Sequence, residues 1–296
     1  MNILIIGKNS YIGDHIDKWL SQAGHQVQQL DVLTDKWRTF DYSPFDVIVH
    51  VAGIVHRPDC KDWDLYKRVN TEMPIAIAEK FKASSANKKQ YVYFSTMGVY
   101  EAAKSLSGCI IEENTPLLDV VHSSSYYGKS KLLAEFGLTK LQDSSFDVAF
   151  VRPPSVYGNG CKGGYIKSFR SIAQRLPFIP LAYENALQSF VYIDNLCECV
   201  RIIIENNLKG LFCPQDDEIP NANRLLEVIC KCIGKNYRAS KLLGMLMRLC
   251  SFIPLVTKAY GGISYSKSIS EIKGYNYVVV PFAEGMNRTV QTEKHM

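Results

Sequence analysis

The stretch Asn2-Ile-Leu-Ile-Ile-Gly7-Lys-Asn-Ser-Tyr-Ile-Gly13 opens the chain and decides its fold. A short apolar run ends at Gly7, and after it the spacing changes. Ile12, Ile16, Trp19, Leu20 and Ala23 recur at helical period and fall on one face. The stretch reads as strand, glycine turn, helix. Glycines in such a turn let backbone N–H groups approach an anion, and the helix N-terminus adds a favourable dipole. The G-x-x-G-x-x-G spacing is incomplete, because Ser10 holds the middle place. A serine is small enough to allow the approach, and its hydroxyl can itself reach a phosphate. Gly7, Ser10, Tyr11, Ile12 and Gly13 are therefore the candidate cradle for a dinucleotide pyrophosphate. A tight structural turn is the competing reading.

Working outward, Gly24 stops the helix, His25–Leu30 reads as a second strand, and Asp31 follows it. A third apolar run, Phe45–Val51, ends at Ala52-Gly53. Thr71–Ala83 has helical spacing, Gln90–Phe94 is a strand ending at Ser95-Thr96, and Tyr127–Leu141 is a helix. Asp147–Val151 is a strand ending at Arg152-Pro153-Pro154. Alternation at this spacing predicts an α/β fold, a doubly wound parallel Rossmann-type sheet with helices on both faces. In such a sheet the ligand crevice lies at the strand ends, where Gly7, Asp31, Gly53 and Thr96 cluster. Asp31 lies 18 residues after Gly13. A carboxylate there accepts both hydroxyls of an adenosine ribose and repels a 2′-phosphate, which favours NAD(H) and leaves NADP(H) open.

After residue 152 the pattern loosens. A loop with Gly158, Gly160, Gly163 and Gly164 precedes a helix near 166–175. Phe190–Ile193 reads as a strand, Asp194 to about Glu205 as a helix, and Leu211–Cys213 as a last short strand. The expected division is a dinucleotide-binding domain over 1–152, to which 187–213 returns. Residues 153–186 and 214–296 form a smaller, interleaved substrate lobe.

The 296 residues are 47% hydrophobic and 21% charged, enough for a sizeable core. The net charge of +5 is scattered, which suits an anionic small substrate and not a nucleic acid. Nine cysteines stand without a disulfide or zinc spacing. They read as reduced, buried thiols of a cytoplasmic protein, and no metal site is expected. The N-terminus lacks the basic region and cleavage site of a secretory signal. The longest apolar stretch, from Leu242 to Val256 and beyond, is broken by Arg248, Ser251, Pro254 and Lys258, so it is too short and polar to span a bilayer. A buried amphipathic helix is the expectation there; contact with a membrane surface is the lesser reading.

Tyr127-Gly-Lys-Ser-Lys131 carries the chemistry. A tyrosine four residues before a lysine stands one helical turn away on the same face. A cation beside a phenol stabilises phenolate, so the phenol can exchange a proton near neutral pH. Tyr66-Lys-Arg-Val-Asn70 shows how nearly chance produces such a pair. Tyr126 and Lys129 are adjacent competitors, read as helix-surface neighbours.

Residues 1–215 resemble the extended short-chain dehydrogenase/reductase superfamily, in its NAD-dependent epimerase/dehydratase branch of sugar-nucleotide enzymes. The matching pieces are Gly7…Gly13, Asp31, His50-Val-Ala-Gly53, Val69-Asn70, Phe94-Ser-Thr-Met-Gly-Val-Tyr100, Tyr127…Lys131 and Arg152-Pro-Pro-Ser-Val-Tyr-Gly158. The resemblance implies that Tyr127 is the acid/base at a sugar oxygen. Lys131 lowers its pKa and binds the nicotinamide ribose, and Thr96, rather than Ser95, hydrogen-bonds the reacting oxygen. It also implies that Ala52 and Gly53 line the cofactor's path, that Pro153 abuts the nicotinamide, and that Asn70 is structural. A homodimer through the Tyr127 helix is a further implication.

The superfamily's dehydratases carry an Asp-Glu pair after the threonine, where this chain has Met97-Gly98. Its 4-epimerases carry an asparagine near Pro154-Ser155 and an arginine near Gln188. The run Phe190-Val-Tyr-Ile-Asp194-Asn195-Leu196 looks more like the 4-keto reductases of surface-polysaccharide sugars. The expected substrate is a nucleoside-diphosphate hexose, with UDP favoured. Thr96, Ser155, Lys162 and Gln188 are its candidate contacts, and Lys162, Lys167 or Arg170 the candidate diphosphate clamp. The reading leans to a 4-keto reductase. A UDP-hexose 4-epimerase is the alternative, and a non-catalytic dinucleotide sensor or scaffold the third.

Overall fold

A computed structural model describes residues 1–55, 62–85, 87–161 and 164–292. Its strands are β1 (Asn2–Ile6), β2 (Gln26–Leu30), β3 (Val47–His50), β4 (Lys89–Phe94), β5 (Ile110–Ile111), β6 (Phe146–Val151), β7 (Ser155–Tyr157), β8 (Phe178–Pro180), β9 (Phe190–Tyr192), β10 (Gly210–Phe212), β11 (Arg238–Ser240) and β12 (Ser264–Tyr265). The helices named below are α1 (Tyr11–Gln22), α2 (Trp63–Lys67), α3 (Met73–Ala83), α4 (Tyr126–Thr139), α5 (Gly164–Arg175), α6 (Ile193–Glu205), α7 (Ala222–Cys232), α8 (Lys241–Leu249) and α9 (Pro254–Tyr260).

Two compact units divide the chain. The first comprises Met1–Glu101, Pro116–Pro153 and Cys197–Cys213. It holds a six-stranded sheet in the order β10-β6-β4-β3-β1-β2, parallel throughout, as the alternating pattern predicts. Ile3, Leu4, Ile5 and Ile6 are fully buried. A parallel strand covered on both faces takes such a continuous apolar run, and each such side chain contributes about 1.5–3 kcal/mol by leaving water. Ile77 and Phe81 of α3 and Leu138 of α4 pack in one core cluster with Ile48, Tyr91 and Phe146 of the sheet. β1 lies between β2 and β3, so successive connections leave it in opposite directions. That switch point opens a crevice at the strand ends.

The second unit comprises Ala102–Thr115, Pro154–Leu196 and Pro214–Met296. Its strands form three two-stranded parallel pairs, β7-β9, β8-β11 and β5-β12. β9 therefore does not join the large sheet. The Tyr157 ring packs 6.1 Å from Phe190 and 5.4 Å from Tyr192, and this contact holds β9 beside β7. The return to the first unit comes at Cys197 rather than 187, and 102–115 falls in the second unit, not the first.

A second departure concerns α8, expected to be buried. Gly244 is its buried residue, and a side chain there would run into the Leu181 backbone. The helix seats that glycine against the chain, and its apolar residues are left outside. Among the described residues no helix is long and apolar enough to cross a membrane, and no disulfide joins the described cysteines. Cys197, Cys199, Cys213 and Cys230 are buried as small apolar side chains.

Candidate active site

The glycine turn is built as a cradle. Gly7 has φ +126°, and a Cβ there would meet the Val51 side chain at 2.9 Å and Ala52 N at 3.0 Å. Only glycine fits that conformation and approach. Ser10 caps α1: its hydroxyl donates to Gly7 O at 2.7 Å and accepts from Gly13 N at 3.1 Å. The sequence left that hydroxyl to touch a phosphate itself; the structure commits it to the loop, leaving backbone N–H groups for the anion. Tyr11 and Ile12, both half-buried, start α1.

A cleft of about 640 Å³ runs from Gly7 and Ser10 past Ala52 and Gly53 to Asp31. Asp31 Oδ1 accepts from Leu33 N at 2.8 Å, which fixes the carboxylate at the mouth of β2. Beyond Asp31 the wall is Asp35, Trp37 and Arg38, none of which the sequence reading singled out. The Arg38 guanidinium lies 4.3 Å over the Trp37 ring and pairs with Asp35 at 2.9 Å. An aromatic followed by a cation just after the second strand was the signal available. A dinucleotide fits these residues: a glycine-lined strand end, a capped helix N-terminus, and a carboxylate at the far end.

The candidate proton-handling residues sit on α4 and just after β4. Gly128 lets the first turn of α4 close on the Gly98 carbonyl; a side chain would occupy that space. This approach brings Tyr127 near Thr96, whose hydroxyl accepts from Gly98 N at 3.1 Å. Burial pushes the Tyr127 pKa up, and the nearby Thr96 hydroxyl holds it partly back. Ser95 separates cleanly: it is buried, and its Oγ has no partner among the described residues. Tyr126 is also set apart, packed 5.6 Å from Trp63 and 6.3 Å from Tyr66, with Lys129 over the Trp63 ring.

Lys131 is buried and donates to Phe94 O at 2.7 Å, its ammonium 4.7 Å from the Tyr93 ring. Burial pulls its pKa down to about 7, against the opposing charge of Glu135. A Cβ on Gly53 would stand 3.0 Å from Lys131 Nζ and from Asn70 Oδ1, so the glycine admits both groups. Asn70, in a π-helical turn over Arg68–Glu72, grips the Ile54 backbone at 2.8 and 2.9 Å and Ser130 at 3.1 Å. These bonds tie the loop after β3 to the helices beside it. Glu135, one turn beyond Lys131, binds Arg152 through Nε at 3.0 Å and through a second bond to Nη2. This buried pair was not foreseen. Buried His50, under Lys131's charge, is held neutral and bonded to Tyr91 at 2.6 Å. Pro153 is buried, and its carbonyl accepts from Met97 N at 3.1 Å.

The remaining candidates belong to the second unit. Ser155 is half-buried in β7. Gln188 is buried, and its amide turns back onto Ser189 O at 3.2 Å. Asn195 bonds Asp216 at 2.8 Å and the backbone of Val279 and Val280 at 2.9 Å. Asp216 also accepts from Tyr157 at 2.7 Å, and burial pushes its pKa up to about 6. That part of the reductase-like run therefore serves the fold. Lys167 is exposed and Arg170 half-buried; Lys162 lies outside the described residues.

Comparison with known proteins adds three findings. The chain is 29% identical over 226 residues to a UDP-glucose 4-epimerase of Vibrio cholerae, covering 69% of this chain and 67% of that protein. Its fold is similar to a dTDP-4-dehydrorhamnose reductase of Clostridium acetobutylicum, at TM-score 0.72 and 18% identity, over 99% of this chain and 100% of that one. It is similar, too, to the UDP-glucose 4-epimerase of Thermus thermophilus in complex with NAD, at TM-score 0.71 and 19% identity, over 99% of both chains. Residues 3–211 match the sequence pattern of one family, and over that length the chain belongs to the NAD dependent epimerase/dehydratase family.

Proposed function

We propose that the protein transfers hydride at C4 of a nucleoside-diphosphate hexose, as an NAD(H)-dependent 4-keto reductase. The observation that carries this reading is Tyr127 one helical turn before Lys131 on α4, the lysine buried and bonded to Phe94 O at the end of β4, with Thr96 nearby. A phenol raised by burial keeps its proton near neutral pH, which suits a donor to a ketone oxygen. Thr96 orients that oxygen, and Tyr127 gives it the proton. Lys131, bonded to Phe94 O, holds the ribose side of the site. Gly7, Gly13 and the N-terminus of α1 hold the pyrophosphate, Asp31 the adenosine ribose, and Ala52, Gly53 and Pro153 the path to the nicotinamide. The bound nicotinamide supplies or accepts the hydride. Ser155, Lys162 and Gln188 are the proposed substrate contacts. Gln188 already spends its amide on Ser189 O, so it is no substitute for an arginine clamp.

A 4-epimerase is the second reading, supported by the Vibrio cholerae relative and by Asp31. The test supplies UDP-linked 4-keto and 4-hydroxy hexoses with NADH. Stoichiometric loss of reduced-nicotinamide absorbance is the expected result. Product formed with no net change in cofactor sinks the reductase reading in favour of the epimerase. Cofactor bound with no turnover on any sugar sinks both.

A further inference from the structure

Helix α8 is mounted with its apolar side outward. Leu242, Met245, Leu246 and Leu249 follow the i, i+3, i+4, i+7 spacing that normally faces a core. Here they are 68, 61, 50 and 69% exposed. The opposite side carries Gly244 against Leu181 and the Met247 carbonyl, which accepts from the Tyr183 hydroxyl at 3.2 Å. The apolar surface continues beyond the helix: Phe252 is 81% and Leu255 69% exposed. A soluble monomer does not ordinarily leave so contiguous an apolar patch in water.

Charge selects what covers it. From Val228 to Tyr260 there is no Asp or Glu. Arg238, Lys241, Arg248 and Lys258 stand there exposed, and among the described residues none has an acidic partner. At about 100° per residue, Lys241 and Arg248 fall together along one edge of the Leu242–Leu249 stripe. An outward apolar stripe with cations along its border, on a segment without acids, has the composition of a helix that lies in a membrane interface. A protein partner would need an acidic rim around an apolar socket, and a second copy would set these cations against each other.

We propose that α8 and the Phe252–Leu255 turn form a docking surface for an anionic lipid bilayer, with Leu246 and Phe252 entering the acyl boundary and Lys241 and Arg248 meeting headgroup phosphates. The attachment is peripheral and salt-sensitive, since the charge term is screened within a Debye length.

The test uses the full chain and sedimentation with vesicles of phosphatidylcholine alone or mixed with phosphatidylglycerol. Binding to the mixed vesicles, absent with phosphatidylcholine alone and reversed by high salt, is the expected result. Lys241→Gln and Arg248→Gln each weaken it about fivefold. Leu246→Glu with Phe252→Glu abolishes it while NADH binding in solution stays unchanged, which shows the variant folded. Two outcomes overturn the proposal: no binding to anionic vesicles, or a concentration-dependent dimer that the Leu246→Glu change dissociates in the absence of lipid.

Discussion

Helices α4 and α8 both depart from the rule that apolar faces turn inward, in opposite directions. α4 buries Ser130, Lys131 and Glu135 beside Leu132 and Leu138. α8 exposes Leu242, Met245, Leu246 and Leu249 and buries a glycine. The difference lies in what each helix finds. Every polar group that α4 buries has a partner: Asn70 for Ser130, Phe94 O for Lys131, Arg152 for Glu135. Burial of a paired polar group is tolerated because the partner replaces lost water. The apolar stripe of α8 meets no such counterpart within its unit, so its reason lies outside the fold. One helix is shaped by internal chemistry, the other by an external contact.

The largest break in this comparison is at Tyr127. Tyr127→Phe keeps the packing of α4 and removes its proton. Turnover should fall about a hundred- to ten-thousand-fold while NADH affinity, measured by calorimetry, is retained. Unaltered turnover would end the catalytic assignment. Next is the buried pair. Glu135→Ala strands the Arg152 guanidinium and should cost about 3–5 kcal/mol in urea unfolding. Adding Arg152→Met should restore most of that loss, since the penalty belongs to the unpaired charge.

Lys131 gives a pH signature. Its ordinary value of 10.5 falls to about 7 in the fold. Between those limits the unfolded chain holds a proton that the folded chain has lost, so stability rises with pH. The slope is at most about 1.4 kcal/mol per pH unit. Below pH 7 the cost of the buried cation is fully present and constant. Lys131→Met should flatten this window in denaturation curves taken from pH 7 upward. A slope that survives the substitution would place its origin elsewhere. On α8, Gly244→Ala puts a methyl against the Leu181 carbonyl and should cost about 1–3 kcal/mol through displacement of the helix.

How much of this was legible follows from the same physics. The large sheet was readable because Ile3–Ile6 and Val47–Val49 are continuous apolar runs with glycine turns behind them, a local signal. Tyr127, Lys131 and Thr96 were readable as residue types at a spacing. Their partners were not: the Phe94 carbonyl and the Arg152 guanidinium reach α4 through tertiary contact and leave no period in the sequence. Glu135 alone was within reach, one turn after Lys131 and able to face the same side. The second unit was least legible. Its strands are two or three residues long, too short for alternation to show, and the return to the first unit comes at Cys197 rather than at 187. The direction α8 faces could not be read at all, because a helical stripe states which residues share a side and not which side meets the core.

The smallest predicted effect is the sharpest test of that last point. Leu246→Ser removes a leucine from the middle of the α8 stripe. If the stripe packed inward, the loss would be about 2–5 kcal/mol, as for any buried leucine truncated in a core. With the side chain half in water and Gly244 making the inward contact, stability should change by no more than about 0.5 kcal/mol. Urea midpoints for Leu246→Ser and Gly244→Ala, measured side by side, therefore decide the orientation of the helix without reference to any ligand. A small loss at Gly244 with a large one at Leu246 would turn α8 over, and with it the contrast to α4. The expected order, a cost at the glycine and none at the leucine, means that selection for folding has no hold on the outward residues, so their apolar character must answer to something the isolated chain does not contain.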